Sequence, residues 1–469
     1  MFRYTLIASG LALAFASPLS ASAADASEMQ KIRAEIQQMK DSYETRIQAL
    51  EKRLQDAEAK TEKIQVQAQQ PQAGPSQPVA TPSTASANAF NPAIALILGG
   101  TYANLSQDPN KYRVQGFIPG GGDIGPGKRS FNLGESELTF SANIDPQFAG
   151  LLTFAVTPDN SVSVEEAFFQ SKGLSNGFGV KGGRFLSSIG YLNIQHAHAW
   201  DFVDAPLAYQ AFWGGAYKNE GVQATWLAPT ERFFEVGLEA GRSATFPGNE
   251  RNKNGFGSSA LFAHIGDDIG ESASWRAGLS YLRNTSSDRS YQDIDTTGAA
   301  VTNAFSGRSG TWIADAIYKF APNGNSTRTN FKLQGEYFRR SEKGSLTYDT
   351  QAVSLGTSMN SYTSAQSGWY LQGVYQFMPR WRTGLRYDKL NSGTPNIGLP
   401  AGSVVASADF SKLTPYNPTR STLMFDYSPS EFSRFRVQFA RDKAQPGAAD
   451  NQIFLQYIMS LGAHGGHKF

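Results

Sequence analysis

Odd and even positions separate cleanly near the end of the chain. From residue 453 to 461 the odd positions read Ile453, Leu455, Tyr457, Met459 and Leu461, while the even ones read Phe454, Gln456, Ile458 and Ser460. One apolar and one mixed face with a period of two predicts a strand whose two sides meet different environments. Similar runs recur near 93–104, 135–145, 150–157, 163–172, 177–185, 221–227, 232–242, 258–266, 274–283, 310–320, 329–340, 369–377, 381–390, 421–428 and 432–441. With the last strand that makes about sixteen, an even number, as an antiparallel barrel with both ends on one side requires. The links alternate in length. Those at 145–147, 173–176, 228–230, 267–271, 321–326, 379–380 and 429–431 are short and rich in Pro, Asp, Gly or Asn, as tight turns are. Those at 105–130, 186–220, 243–257, 284–309, 341–367 and 391–420 are long. A soluble sandwich has no reason to alternate in this way, whereas a barrel crossing a bilayer does.

The pattern before residue 93 is different. Arg3, an apolar run from Leu6 to Leu19 and the small residues Ala21, Ser22 and Ala23 read as a secretory signal over 1–24. Over 25–64 apolar residues recur at Met29, Ile32, Ile36, Met39, Tyr43, Ile47, Leu50, Leu54 and Ile64, spaced by threes and fours with one stutter, which predicts a coiled-coil helix. So polar a helix buries its stripe only against partner helices, and a homotrimer would supply two. Residues 65–92, with Pro71, Pro75, Pro78 and Pro82 among Gln, Ala, Ser and Thr, predict a flexible linker. The expected fold is therefore all-β: a transmembrane antiparallel β-barrel of about 16 strands over 93–469, preceded by a short periplasmic α-helical coiled coil.

Composition narrows this further. No segment after the signal offers about 20 consecutive apolar residues, so helical spans are excluded, a test that a barrel escapes. There are no cysteines, hence neither disulfides nor a thiolate metal site. Lys and Arg total 42 against 40 Asp and Glu, which argues against a nucleic-acid partner.

Parity assigns the faces. Trp275, Ala277, Leu279 and Tyr281, then Trp312, Ala314, Ala316, Tyr318 and Phe320, then Trp381, Thr383, Leu385 and Tyr387 give lipid-facing rows with aromatics at their ends. The opposite parity gives lumen charges. Glu135, Glu137, Glu165, Glu235 and Glu239 come from early strands; Arg276, Lys332, Arg340, Arg382, Arg386, Arg434 and Arg436 come from later ones. Acid on one wall and base on the other would set a transverse field favouring polar or charged solutes; alternatively, these charges neutralise each other in pairs. The link at 186–220 holds the densest polar aromatic cluster: Tyr191, His196, His198, Trp200, Asp201, Phe202 and Asp204. His196 and His198 fall on one side of an extended chain, where Asp201 or Asp204 would complete a divalent-metal site. The alternative is a hydrogen-bonded loop with no metal. No cofactor is expected. No Ser-His-Asp set has a spacing that points to an enzyme.

Glu165-Glu166-Ala167-Phe168-Phe169, Gly182-Gly183-Arg184-Phe185 and the terminal aromatic Phe469 together resemble the sixteen-stranded porins of Gram-negative outer membranes, in particular the phosphate-selective branch. That resemblance implies a homotrimer in outer-membrane lipid and lipopolysaccharide, with Phe469 read by the barrel-assembly machinery. It also implies that the third long loop, with Tyr191, His196, His198, Trp200, Asp201 and Asp204, folds inward as the constriction. The function implied is a water-filled passive diffusion channel for small polar or charged solutes. The branch's phosphate selectivity rests on a basic ladder, and no Arg or Lys lies between Phe185 and Lys218 here, so phosphate specificity is not implied. The alternatives are a substrate-selective uptake channel linked to a metal or an anion, and an envelope tether or adhesin built on the coiled coil.

Overall fold

In a computed structural model, residues 92–121, 124–134, 136–157 and 161–462 are described. The signal, coiled-coil and linker expectations, together with Glu135, His464, His467 and Phe469, lie outside the described residues. The chain divides into two units, Met1–Ser83 and Thr84–Phe469, and every described residue belongs to the second.

Sixteen long strands follow one another: β1 (Ala93–Leu105), β2 (Ser136–Asn143), β3 (Phe148–Val156), β4 (Val162–Ser171), β5 (Phe178–Leu186), β6 (Lys218–Leu227), β7 (Phe233–Gly241), β8 (Ser258–Ile269), β9 (Ala273–Ile294), β10 (Ala300–Phe320), β11 (Asn330–Tyr348), β12 (Ser358–Met378), β13 (Trp381–Asn391), β14 (Thr419–Ser430), β15 (Ser433–Lys443) and β16 (Asp450–Gly462). Two short strands, Ser130–Leu133 and Asn396–Ile397, pair alongside β1 and β12 and complete an eighteen-stranded sheet. Each long strand pairs antiparallel with the next, and β1 pairs with β16 from Ala95 opposite Gly462 to Leu105 opposite Gln452, so the sheet closes on itself. Closure leaves no row of unpaired backbone groups at an edge.

The polarity of this cylinder is inverted relative to a soluble core. Leu385 is 64% exposed and Arg386, beside it, is 3% exposed, so the leucine faces out and the arginine in. The same holds along β14 to β16, where Phe425, Phe435, Phe439, Ile453 and Leu455 are exposed while Asp426, Arg436 and Gln438 are buried. Apolar residues exposed around a whole perimeter far exceed what a soluble monomer shows in water.

Two long links differ from expectation. Residues 284–309 and 341–367 predict as loops, but β9 runs on to Ile294 and β10 begins at Ala300, while β11 reaches Tyr348 and β12 begins at Ser358. These strands hold 19 to 22 residues, about twice the 9–11 a bilayer crossing needs. Beyond the spanning part the outer face turns polar and the apolar residues shift to the inner face, so the outward-apolar pattern used to find strands is lost while the ladder continues. The inner faces of these extensions carry Tyr291, Val301, Phe305, Leu346, Tyr348 and Tyr362, which pack with Ile118, Val405, Phe410 and Leu413 from other long links.

A second irregularity sits in β4. Thr153 pairs with Glu166 but Phe154 pairs with Val164, which leaves Glu165 as an extra residue. Such a bulge re-aims side chains, and here Glu165 and Glu166, consecutive in sequence, are both buried within the barrel.

Candidate functional site: the inward loop

The loop of residues 187–217, between β5 and β6, is pinned at its neck by one side chain. Asn193 donates through Nδ2 to the carbonyls of Ser187 (2.8 Å) and Tyr217 (2.9 Å), and its Oδ1 accepts from the Tyr217 N–H at 2.8 Å. Near its end the loop forms a short helix, α1 (Leu207–Trp213), in which every residue is buried. Gly214 stops it at φ 68°, a left-handed position suited to glycine, and the N–H groups of Gly214 and Gly215 return to the carbonyls of Gln210 and Tyr209. The helix packs against wall residues from β8 to β13, among them Phe262, Leu282, Ile313, Phe338, Tyr370 and Leu390. Phe212 stacks on Phe338 at 5.6 Å, and the Tyr209 hydroxyl donates to Glu336 of β11. An aromatic helix inside the barrel is held as a core is held.

The rest of the loop is tied to the wall by charge. Asp201 meets Lys332 of β11 at 2.5 Å and Arg382 of β13 at 3.2 Å. Asp204 meets Arg386 at 2.8 Å and Arg420 of β14 at 2.5 Å, and accepts from Gln438 of β15 at 3.0 Å. The Leu207 N–H donates to Asp388. Arg434 and Arg436 of β15 donate to the carbonyls of His198 (2.6 Å) and Trp200 (3.0 Å), and Arg436 also pairs with Asp426 at 2.7 Å. Trp200 donates its ring N–H to the Gln195 carbonyl. Arg276 of β9 lies over the Tyr191 ring at 5.2 Å and is 3.8 Å from Asp315. Burial alone would raise the Asp201 carboxyl, but Lys332 and Arg382 more than offset it and hold it below the usual carboxylate range. Asp204 is lowered in the same way, burial being outweighed by Arg420 and Arg386.

The acidic side of the ring holds the histidines. His196 Nδ1 lies 2.9 Å from Glu137 Oε2 of β2 and 3.2 Å from Glu165 Oε2 of β4, while its Nε2 lies 2.9 Å from Glu166 Oε2. His198 Nδ1 is 2.8 Å from Glu137 Oε1. Burial pulls the His196 imidazole down, but these carboxylates outweigh that and hold it well above its ordinary value. Glu239 of β7 accepts from Ser187 Oγ (2.6 Å) and the Ser188 N–H (2.9 Å) at the start of the loop. Glu235 stands apart from the loop's ties, 3.0 Å from His264 of β8.

The carboxylates expected to complete the histidine set are therefore corrected. Asp201 and Asp204 are occupied by lysine and arginine on the basic side, whereas Glu137, Glu165 and Glu166 surround the imidazoles. The reason is the turn at residues 197–199, after which the chain leaves the acidic wall. The lumen charges also do not face each other across open water, because most of them grip this loop.

No family model matches the chain. An uncharacterized protein of Aquifex aeolicus is 29% identical over 414 residues, covering 82% of this chain and 81% of that protein. Among solved structures, a loop L8 deletion mutant of OmpT, an outer membrane protein of Vibrio cholerae, has a TM-score of 0.49 at 10% identity, covering 79% of this chain and 99% of that one. The outer membrane channel DcaP of Acinetobacter baumannii gives 0.44 at 14% identity, covering 78% and 96%. An anion-selective porin from Comamonas acidovorans gives 0.45 at 10%, covering 79% and 99%.

Beneath the loop, a cavity of about 530 Å³ is bounded by Tyr191, Gln195, His198 and Asp201 above and by Lys319, Lys332, Arg380, Arg382 and Arg434 on the wall. Sequence reasoning missed several of these groups. Lys319 faces the same cavity as Lys332. Arg420 falls at the first turn of β14, and its inward parity with Thr422 and Asp426 was the available signal. Glu166 had none, because only the bulge turns it inward.

Proposed function

We propose that this protein is an outer-membrane channel that passes small polar or charged solutes through the barrel, with the loop of residues 187–217 setting the narrowest point. The observation that carries this is the inverted polarity: a closed cylinder, apolar outside and lined with charge inside, is stable only with lipid around it and water or polar protein within it. A closed barrel satisfies its backbone groups without external partners, and its inner charges give a polar path an apolar solute cannot use.

The cavity beneath the loop refines the solute class. Five wall cations, Lys319, Lys332, Arg380, Arg382 and Arg434, line it, while the loop contributes Asp201 and the rim contributes Glu431. This excess of positive charge on the walls of a confined polar path favours anionic solutes over cationic ones. The test is single-channel recording in planar bilayers, with reversal potentials under a salt gradient. Discrete ohmic steps with an anion preference are expected, and Lys319→Ala with Lys332→Ala should move the reversal potential toward cations. Folded, membrane-inserted protein without conductance would refute the channel. Conductance with an unmoved reversal potential would refute the role of the cavity.

A further inference from the structure

His196 and His198 are held by more carboxylate than two imidazoles need. Glu137, Glu165 and Glu166 supply three buried carboxylates, and Lys218, 2.9 Å from Glu165 Oε1, offsets one of them. The cluster is therefore net negative, which suits a divalent cation.

Two buried atoms there also lack hydrogen-bond partners. Glu165 Oε2 and His196 Nδ1 are 3.2 Å apart, each is buried, and neither makes an aligned hydrogen bond. Glu165 is 5% exposed. A buried carboxylate oxygen facing an imidazole nitrogen without an aligned hydrogen bond between them is a position that a cation would satisfy.

We propose that Glu137, His196 and His198, with Glu165 beside them facing His196 Nδ1, bind a divalent transition-metal ion of the zinc class, joining the inward loop to β2 and β4. Glu137 Oε2, Glu165 Oε2 and His196 Nδ1 lie 2.9 and 3.2 Å apart across the imidazole, and Glu137 Oε1 lies 2.8 Å from His198 Nδ1. Ligands about 2.0–2.2 Å from a tetrahedral zinc stand about 3.3–3.6 Å from one another, so each of these three imidazole–carboxylate pairs would open by about 0.5 Å to admit one. One ligand atom each from Glu137, His196 and His198 falls within 4.8 Å of the others. Imidazole with carboxylate suits zinc, nickel, copper or cobalt better than calcium or magnesium.

Glu166 completes the logic as a positioning residue. Its Oε2 lies 2.9 Å from His196 Nε2, and its Oε1 accepts from the Leu186 N–H at 2.9 Å. A carboxylate that takes the far N–H of an imidazole fixes the tautomer, leaves Nδ1 to the metal and strengthens its donation. The bulge at Glu165 is what supplies both carboxylates from one strand.

The experiment is zinc titration of the full mature chain in detergent at pH 8, by calorimetry and by metal analysis after dialysis. Because binding is read directly, it is independent of whether the barrel conducts. About one zinc per chain is expected in the parent protein and in His464→Ala/His467→Ala, which removes the other histidine pair. His196→Ala/His198→Ala should weaken binding roughly 100-fold or more, and Glu165→Gln, which leaves the loop's hydrogen bonds to Glu137, Glu166 and Glu239 in place, roughly 10-fold. Cobalt substitution of the unmutated chain should give the visible absorption of a four-coordinate imidazole and carboxylate site, which keeps the test open if a histidine variant fails to fold. No saturable binding to folded parent protein would overturn the proposal. So would binding unchanged in His196→Ala/His198→Ala, or lost in His464→Ala/His467→Ala.

Discussion

Asp204 is the most informative single position in the loop. Its carboxylate is shared between Arg386 at 2.8 Å and Arg420 at 2.5 Å, with Gln438 as a third donor at 3.0 Å. Both guanidinium groups are almost fully buried, at 1% and 2% exposure of the side chain. Asp204→Asn keeps the shape but removes the charge that compensates them. Breaking one side of such a buried pair costs about 3–5 kcal/mol. Asp388 also faces both arginines, at 3.1 and 3.6 Å, which places the cost toward the lower figure. About 3 kcal/mol corresponds to a roughly 100-fold larger population of the released loop. The chain has no cysteine, so Ala211→Cys, on the buried face of α1, is a background-free reporter. Its rate of maleimide labelling reads the released fraction when opening and closing are fast relative to reaction. The Asp204→Asn protein should label roughly 100-fold faster than its parent while the barrel stays folded. A rate within a factor of about three of the parent would refute the view that this charge cluster anchors the loop.

Further expectations follow from the same geometry. Asp201 and Asp204 have folded-state values below the ordinary 3.8, so the stabilisation they give is present above that value and lost as pH falls through the lower folded one. Current through the channel should therefore show no change from these anchors between neutral pH and about 5, and noisy, enlarged steps should appear only below about 4. Gly190 has φ +70°, and a Cβ there would stand 2.5 Å from Glu336 Oε2, so Gly190→Ala should loosen the loop and raise Ala211→Cys labelling without unfolding the barrel. Leu385→Arg should cost about 2–4 kcal/mol in refolding into vesicles if the outward face meets the bilayer midplane, and nothing measurable if it meets water. Deleting residues 28–64 should weaken trimer association on native gels and leave barrel conductance intact; a monomeric, non-conducting product would contradict this separation of roles.

The parity of single strands was enough to order the barrel. Trp312, Ala314, Ala316 and Tyr318 declare one face and Ile313, Asp315 and Ile317 the other, because in an extended chain position alone decides the side. The closed cylinder, its short turns and its outward leucines and aromatics were therefore legible from local pattern. So was the loop that holds the histidines, since its polar aromatic content sets it apart from the other links.

What residues 187–217 touch was not legible, because no periodicity relates them to strands hundreds of positions away. His196 meets Glu137, Glu165 and Glu166, while Asp201 and Asp204 go to Lys332, Arg382, Arg386 and Arg420. Only the folded ring brings β2 and β4 to one side of the loop and β11 to β15 to the other. Glu166 shows the limit most directly: strict alternation would send it outward beside an inward Glu165, and the extra residue in the ladder turns both into the lumen. Alternation belongs to the chain and needs only the geometry of one strand, whereas the bulge and the choice of ion partners are fixed by how strands register and close in three dimensions.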